Sequence, residues 1–205
     1  MNYLSRNNKI IRLGITGGIG GGKSTVCKVF SVLGIPIFYA DAEASKIMNT
    51  DESLMSAINS VVGEDMYLSG TLDRALLAKY VYNDENLLQQ INQLVHPAVF
   101  EKFVSWSSTQ NAPYAIVEAA ILFESGMYKY VDKVATVTAP VEERIDRVIS
   151  RNGKTREQVL QIMKNQMDDE AKIKMSDYVI NNSEKDMVIP VVLKIHEDLI
   201  NCLER

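Results

Sequence analysis

Cysteine is scarce in this chain: two occur in 205 residues, Cys27 and Cys202. They stand far apart, with neither a CxxC pair nor metal-ligand spacing, so neither a disulfide framework nor a cysteine-based metal site is expected. Cys27 falls among helix-core positions and reads as a small buried hydrophobe. The opening MNYLSRNNK lacks the apolar centre of a signal peptide, and no run approaches the roughly 18 apolar residues of a membrane span. Positive charge is not in excess either. A net charge of −4 argues against broad charge-driven binding to nucleic acid or an anionic membrane, while leaving room for a local basic pocket. Repeats and low-complexity tracts are absent, and 46% hydrophobic with 23% charged residues excludes a disordered chain. The expectation is a cytoplasmic protein, a monomer or weak homo-oligomer, handling small molecules.

What the chain has in quantity is glycine in one place. Thr16 to Thr25 reads TGGIGGGKST, five glycines in ten residues. It follows the apolar run Ile10 to Ile15, which reads as a buried parallel strand. After it Val26, Val29, Phe30 and Leu33 recur at helical spacing, with Gly34 placed to end the helix. Ile35 to Tyr39 reads as a second strand. From about Asp41 to Asn111 the pattern is helical and more polar, including Leu72 to Tyr82 and Leu87 to Leu94, so a helical lobe inserted between core strands is expected. Ala115-Ile116-Val117 and Lys133 to Thr138 predict two further strands, and Tyr178-Val179-Ile180 a last one. Pro140 with Glu142 and Glu143 marks a helix start, and a C-terminal helix is predicted from about Lys185.

Gly17-x-x-x-x-Gly22-Lys23-Ser24 satisfies the Walker A pattern. Its glycines let successive backbone N–H groups turn toward phosphate oxygens. Lys23 supplies a point charge near the β- and γ-phosphates, Ser24 a hydroxyl for Mg²⁺, and the following helix its positive end. The motif serves several classes of protein. A GTPase would show D-x-x-G and N-K-x-D, and neither is present; an LSGGQ-like signature is absent too. Small-molecule kinases remain.

Such a kinase needs a group to orient or deprotonate the acceptor hydroxyl and cations over the transferred phosphoryl. Asp41, just past the second strand, is either that base or a helix N-cap; beside a Walker A loop the catalytic role is favoured. Glu118 ends the third strand, as a Walker B-like carboxylate or simply a charge at a strand end. Arg144, Arg147 and Arg151 share one helix face, which reads as a cationic lid or a solvated stripe; the lid reading is favoured, chiefly for Arg147 and Arg151. His96, followed by Pro97, is structural or touches substrate, and Pro97 reads as the opening of a new helix.

Together GITGGIGGGKSTV, YADAEA, LDRALL, LVHPAVF, ILFE, APVEERIDRVISRNGKT and DYVINN resemble the dephospho-coenzyme A kinase family over nearly the whole chain. The resemblance implies a three-layer P-loop fold with a mainly parallel five-stranded sheet and helices on both faces. It implies a nucleotide core (10–40 and 112–205), a helical acceptor lobe (41–111) and a lid (144–165). It implies ATP and Mg²⁺, and transfer of the γ-phosphoryl to the ribose 3′-hydroxyl of dephospho-CoA. Gly20, Gly21, Gly22, Lys23, Ser24 and Thr25 would hold ATP, with Asn182 near the adenine. Asp41 would be the base, Lys23, Arg147 and Arg151 the charge stabilisers, and Arg74 and His96 would face the acceptor. Ser24 would bind the metal directly and Glu118 through water. Two residues depart from the family pattern: Gly21 stands where Ser is common, implying a looser loop, and Ala120 replaces a proline near Glu118. The rivals are a kinase for nucleoside monophosphates or shikimate-like acceptors, and a non-catalytic nucleotide sensor.

Overall fold

The computed structural model describes residues 10–82 and 84–203, so the reading of MNYLSRNNK lies outside the described residues. The chain divides into two compact units: residues up to Tyr39 together with those from Ser105 onward, and Ala40–Val104. The inserted unit thus ends earlier than position 111, because the last turn of its long helix and the following loop belong with the sheet.

In the first unit, β1 (Ile11–Thr16) leads through the glycine loop into α1 (Lys23–Val32) and then β2 (Ile37–Tyr39). Gly34, in the left-handed region at φ 80°, turns the chain off the helix, a conformation open to glycine without steric cost. β2 starts later than Ile35, after Pro36, whose carbonyl still accepts from the Ile116 N–H at 3.0 Å. β3 (Tyr114–Glu118), β4 (Lys133–Thr138) and β5 (Tyr178–Asn181) complete a five-stranded sheet of order β2-β3-β1-β4-β5. Every pairing in it is parallel. β3 is buried along its whole length, as expected of a strand covered on both faces.

Alternation sets the two faces. Leu13, Ile15, Tyr114, Ile116, Ala135, Val137 and Ile180 join Val26, Cys27 and Phe30 of α1, and Val192, Ile195 and Leu199 of the C-terminal helix, in one apolar core. Arg12 points the other way and donates through Nε to Ser107 Oγ at 2.8 Å.

The second unit holds α2 (Ala40–Thr50), α3 (Glu52–Val62), α4 (Arg74–Tyr82) and α5, which runs from Glu85 to Ser108 and carries the chain back. Aspartates start three of these helices: Asp51, Asp73 and Asp84 accept from N–H groups of their first turns, satisfying donors that have no partner within the helix. Pro97 sits inside α5 instead of opening a new helix. Its neighbours Val95, Val99 and Phe100 are buried, and that packing outweighs the lost backbone hydrogen bond.

From Pro140, which occupies the N-cap and not the first turn, α6 runs Val141–Asn152; α7 (Arg156–Lys164) and α8 (Asp169–Lys174) follow. The C-terminal helix, α9, starts at Val188 and not near Lys185. Asp186 folds back to accept from the Ser183 N–H at 3.1 Å and hydroxyl at 2.6 Å, which holds 183–187 in a turn. Pro190 then lies in the first turn of α9, where its missing N–H does no harm.

Candidate active site

The glycine loop spans residues 17–22 between β1 and α1. Turning its N–H groups toward a phosphate turns its carbonyls outward, and each buried carbonyl then needs a donor. Lys23 Nζ donates to the Gly17 carbonyl at 3.0 Å, Arg144 Nε to that of Ile19 at 2.9 Å, Arg147 to that of Gly20 at 3.5 Å, and Asn182 Nδ2 to that of Gly21 at 2.9 Å. The loop is therefore tied down from α6 and from the end of β5, which does not match the looser loop expected from Gly21.

Gly22 has φ 92°, and a Cβ there would overlap Asn182 Nδ2, so no other residue fits this turn. Gly21 differs. Its φ is ordinary, and a Cβ would lie 3.0 Å from the Val137 carbonyl oxygen and 3.1 Å from that of Gly18. A side chain is crowded there but needs only a small shift of neighbouring backbone.

Lys23 Nζ lies 3.8 Å from Glu118 Oε1, with the two side chains only 12% and 11% exposed. Glu118 closes β3 in register with Ile15 and Tyr39. It is a buried carboxylate facing the loop lysine, not a solvated strand end. The Cys27 thiol beneath is pushed up to about 12, first by burial and then by the Glu118 charge, with Lys23 opposing. It is an inert core group, as its position in the pattern suggested.

The three arginines on α6 diverge. Arg144 is buried at 4% exposure and ion-paired with Asp169. Arg147 is half-buried, donating to Asn182 O at 2.8 Å and to Glu143 Oε2 at 3.0 Å. Arg151 is exposed, its Nε on Asn152 Oδ1 at 3.0 Å. The stripe is thus neither wholly solvated nor wholly exposed. Of the 144–165 segment, Ile145, Val148 and Val159 are buried against Ile19 and Met163. Ser24 and Thr25, in the first turn of α1, are exposed.

In the second unit Asp41 is exposed in the first turn of α2. The helix begins at Ala40, so Asp41 lies inside it and is not its N-cap. Arg74 begins α4, exposed, with its guanidinium on Ser45 Oγ. His96 is half-buried on α5, stacked on Phe100 at 5.9 Å, and burial holds its pKa below the usual value.

Sequence reading passed over Gln166, Asp169 and Lys172. Gln166 Oε1 accepts from the Ile19 N–H at 2.9 Å. Lys172, fully buried, pairs with Glu124 at 3.1 Å and donates to the Ala120 carbonyl at 3.3 Å. A buried lysine inside the polar run DDEAKIK carries no periodic signal that would single it out.

The dephospho-CoA kinase family model matches residues 11–187. The chain belongs to the dephospho-CoA kinase family. A dephospho-CoA kinase of Bacteroides fragilis is 38% identical over 186 residues, covering 90% of this chain and 91% of that one. The crystal structure of a Thermus thermophilus protein is 32% identical with a TM-score of 0.83, covering 93% of this chain and 98% of that one. A dephospho-CoA kinase from Campylobacter jejuni, at 23% identity and TM-score 0.68 over 94% and 98% of the two chains, shares the fold. At Ala120, where the family pattern has proline, the carbonyl is held instead by Lys172 and by the Thr16 hydroxyl at 3.5 Å, so side-chain donors here fix a segment that lacks the proline ring.

Proposed function

We propose that the protein transfers the γ-phosphoryl group of ATP to the ribose 3′-hydroxyl of dephospho-CoA, giving coenzyme A and ADP, the last step of coenzyme A synthesis. The observation that carries this reading is the family match across residues 11–187, which includes a glycine loop with four of its carbonyls, those of Gly17, Ile19, Gly20 and Gly21, held by side-chain donors.

In this reading Gly20, Gly21, Gly22, Lys23, Ser24 and Thr25 hold ATP by its phosphates. Lys23 offsets charge on the β- and γ-phosphates in a site where Glu118 keeps the ammonium in place. Asp41, two residues beyond the C-terminal end of β2, accepts the proton of the 3′-hydroxyl, as sites in parallel sheets form beyond the strand C-termini. Arg151 and Arg147 are the lid cations. Arg147 acts chiefly by bracing Gly20 and Asn182, and Asn182, assigned to the nucleotide side, acts through the Gly21 carbonyl. Arg74 and His96 face the acceptor.

Mg²⁺ takes few protein ligands when substrate phosphates and waters complete its shell. The exposed Ser24 hydroxyl and the Glu118 carboxylate are oxygen donors that suit it, Ser24 directly and Glu118 through water. When bound, the ion would neutralise charge on the phosphates. The protein is read as a cytoplasmic monomer or weak homo-oligomer, which sedimentation at micromolar concentration would check.

The test is ADP formation with ATP, Mg²⁺ and a panel of acceptors, with the product's phosphate position read by mass spectrometry and phosphorus NMR. Dephospho-CoA should be strongly preferred and phosphorylated at the 3′-position. Preference for a nucleoside monophosphate or shikimate, or the lack of any acceptor-dependent ADP, would overturn the reading.

A further inference from the structure

Ile19 is the only residue of loop 17–22 that carries a side chain, and the structure holds its side chain, its N–H and its carbonyl. The side chain packs against Ile145, Val148 and Val159. The N–H donates to Gln166 Oε1 at 2.9 Å, and the carbonyl accepts from Arg144 Nε at 2.9 Å. Arg144 has no latitude: it is buried, paired with Asp169, and packed so closely under Gly18 that a Cβ there would overlap its guanidinium. Gln166 lies in the junction between α7 and α8 and Asp169 opens α8, so one short segment controls both backbone groups of Ile19.

That junction is itself fixed. The Met167 N–H donates to Glu124 Oε1 at 2.9 Å, and Glu124 pairs with the buried Lys172 at 3.1 Å. The backbone of Gln166 closes α7, its N–H donating to the Met163 carbonyl at 3.2 Å just past the Asn165 C-cap. Its side chain goes to the loop.

We propose that Gln166 is a positioning residue for phosphoryl transfer: with the Arg144–Asp169 pair it fixes the Ile19 backbone and so sets where the loop N–H groups meet the ATP phosphates. The physical reason is entropic. A loop of five glycines among six residues has more conformations to lose than one of ordinary residues, and fixing it beforehand removes that cost from ATP binding. The inference rests on the reading of the loop as an ATP site.

Gln166→Met keeps the length of the side chain and removes the acceptor. Loss of one neutral hydrogen bond to the loop should raise the dissociation constant of a non-hydrolysable ATP analogue about 5- to 10-fold. The Ile19 amide should exchange with solvent faster by a similar factor, and the KM for dephospho-CoA should stay within about twofold. At a half-exposed position the melting temperature should move by no more than about 2 °C. Unchanged analogue affinity in the variant, beside normal wild-type binding, overturns the inference alone. Equal weakening of both substrates with a large fall in melting temperature also overturns it, by showing a general structural role. A wild-type protein that binds no ATP analogue would overturn the ATP reading and this inference together.

Discussion

Lys23 Nζ sits between two oxygens, donating to the Gly17 carbonyl at 3.0 Å and lying 3.8 Å from Glu118 Oε1. The loop's cation is thus held by its own backbone and by the end of β3. Lys23→Met should cut kcat/KM by about 10²- to 10³-fold, the scale for removing one preorganised charge donor. Glu118→Gln, which leaves the lysine in place but loosens its setting and the proposed metal shell, should cost roughly 10- to 100-fold. Steady-state kinetics of both variants check the order; a larger loss for Glu118→Gln than for Lys23→Met would contradict the assignment.

Asp41 is exposed in the first turn of α2 and does not cap it, so its carboxylate is not needed to start the helix. Asp41→Asn should leave ATP binding within about twofold and lower kcat by about 10²-fold or more, as expected on loss of a positioned base. Near-normal turnover would remove Asp41 from the chemistry.

Neighbouring glycines should respond differently to a side chain. Gly22→Ala places a Cβ at a φ of 92° and onto Asn182, so stability should fall by about 1–3 kcal/mol and ATP binding should be lost. Gly21→Ser meets only two carbonyl oxygens at 3.0 and 3.1 Å and should cost about 1 kcal/mol with ATP turnover retained. Thermal melts with and without ATP separate the two.

Burial lowers the pKa of His96 below its ordinary value of 6.5. The unfolded chain therefore binds a proton there at a pH where the folded protein does not, and stability rises with pH across that interval. The contribution is complete above 6.5 and is lost as pH falls toward the folded value. Urea midpoints measured from pH 7.5 down to 5.5, above the range of the carboxylates, should decline in the wild type. The decline should be shallower in His96→Gln; parallel curves would show that His96 does not titrate as described.

The strand and helix order was readable from the chain because its signals are local. β4 matches Lys133–Thr138 at both ends, since β-branched residues and flanking polar positions bound it on the spot. Gly34 and the Walker A glycines could be read because a positive φ is a property of one residue. Where a single-residue rule met a competing contact it failed. Pro97 reads as a break, yet α5 passes through it on the packing of Val95, Val99 and Phe100. Lys185 reads as helix, yet Asp186 holds that segment in a turn.

By itself the sequence determined that a glycine loop stands between a strand and a helix, that the chain alternates as an α/β fold, and which family it joins. Tertiary structure decided the strand order, and it decided what holds the loop. Arg144, Arg147, Gln166 and Asn182 reach the loop from segments late in the chain. A carbonyl turned away from a phosphate must find a donor in space, and no spacing along the sequence says which side chain will be there.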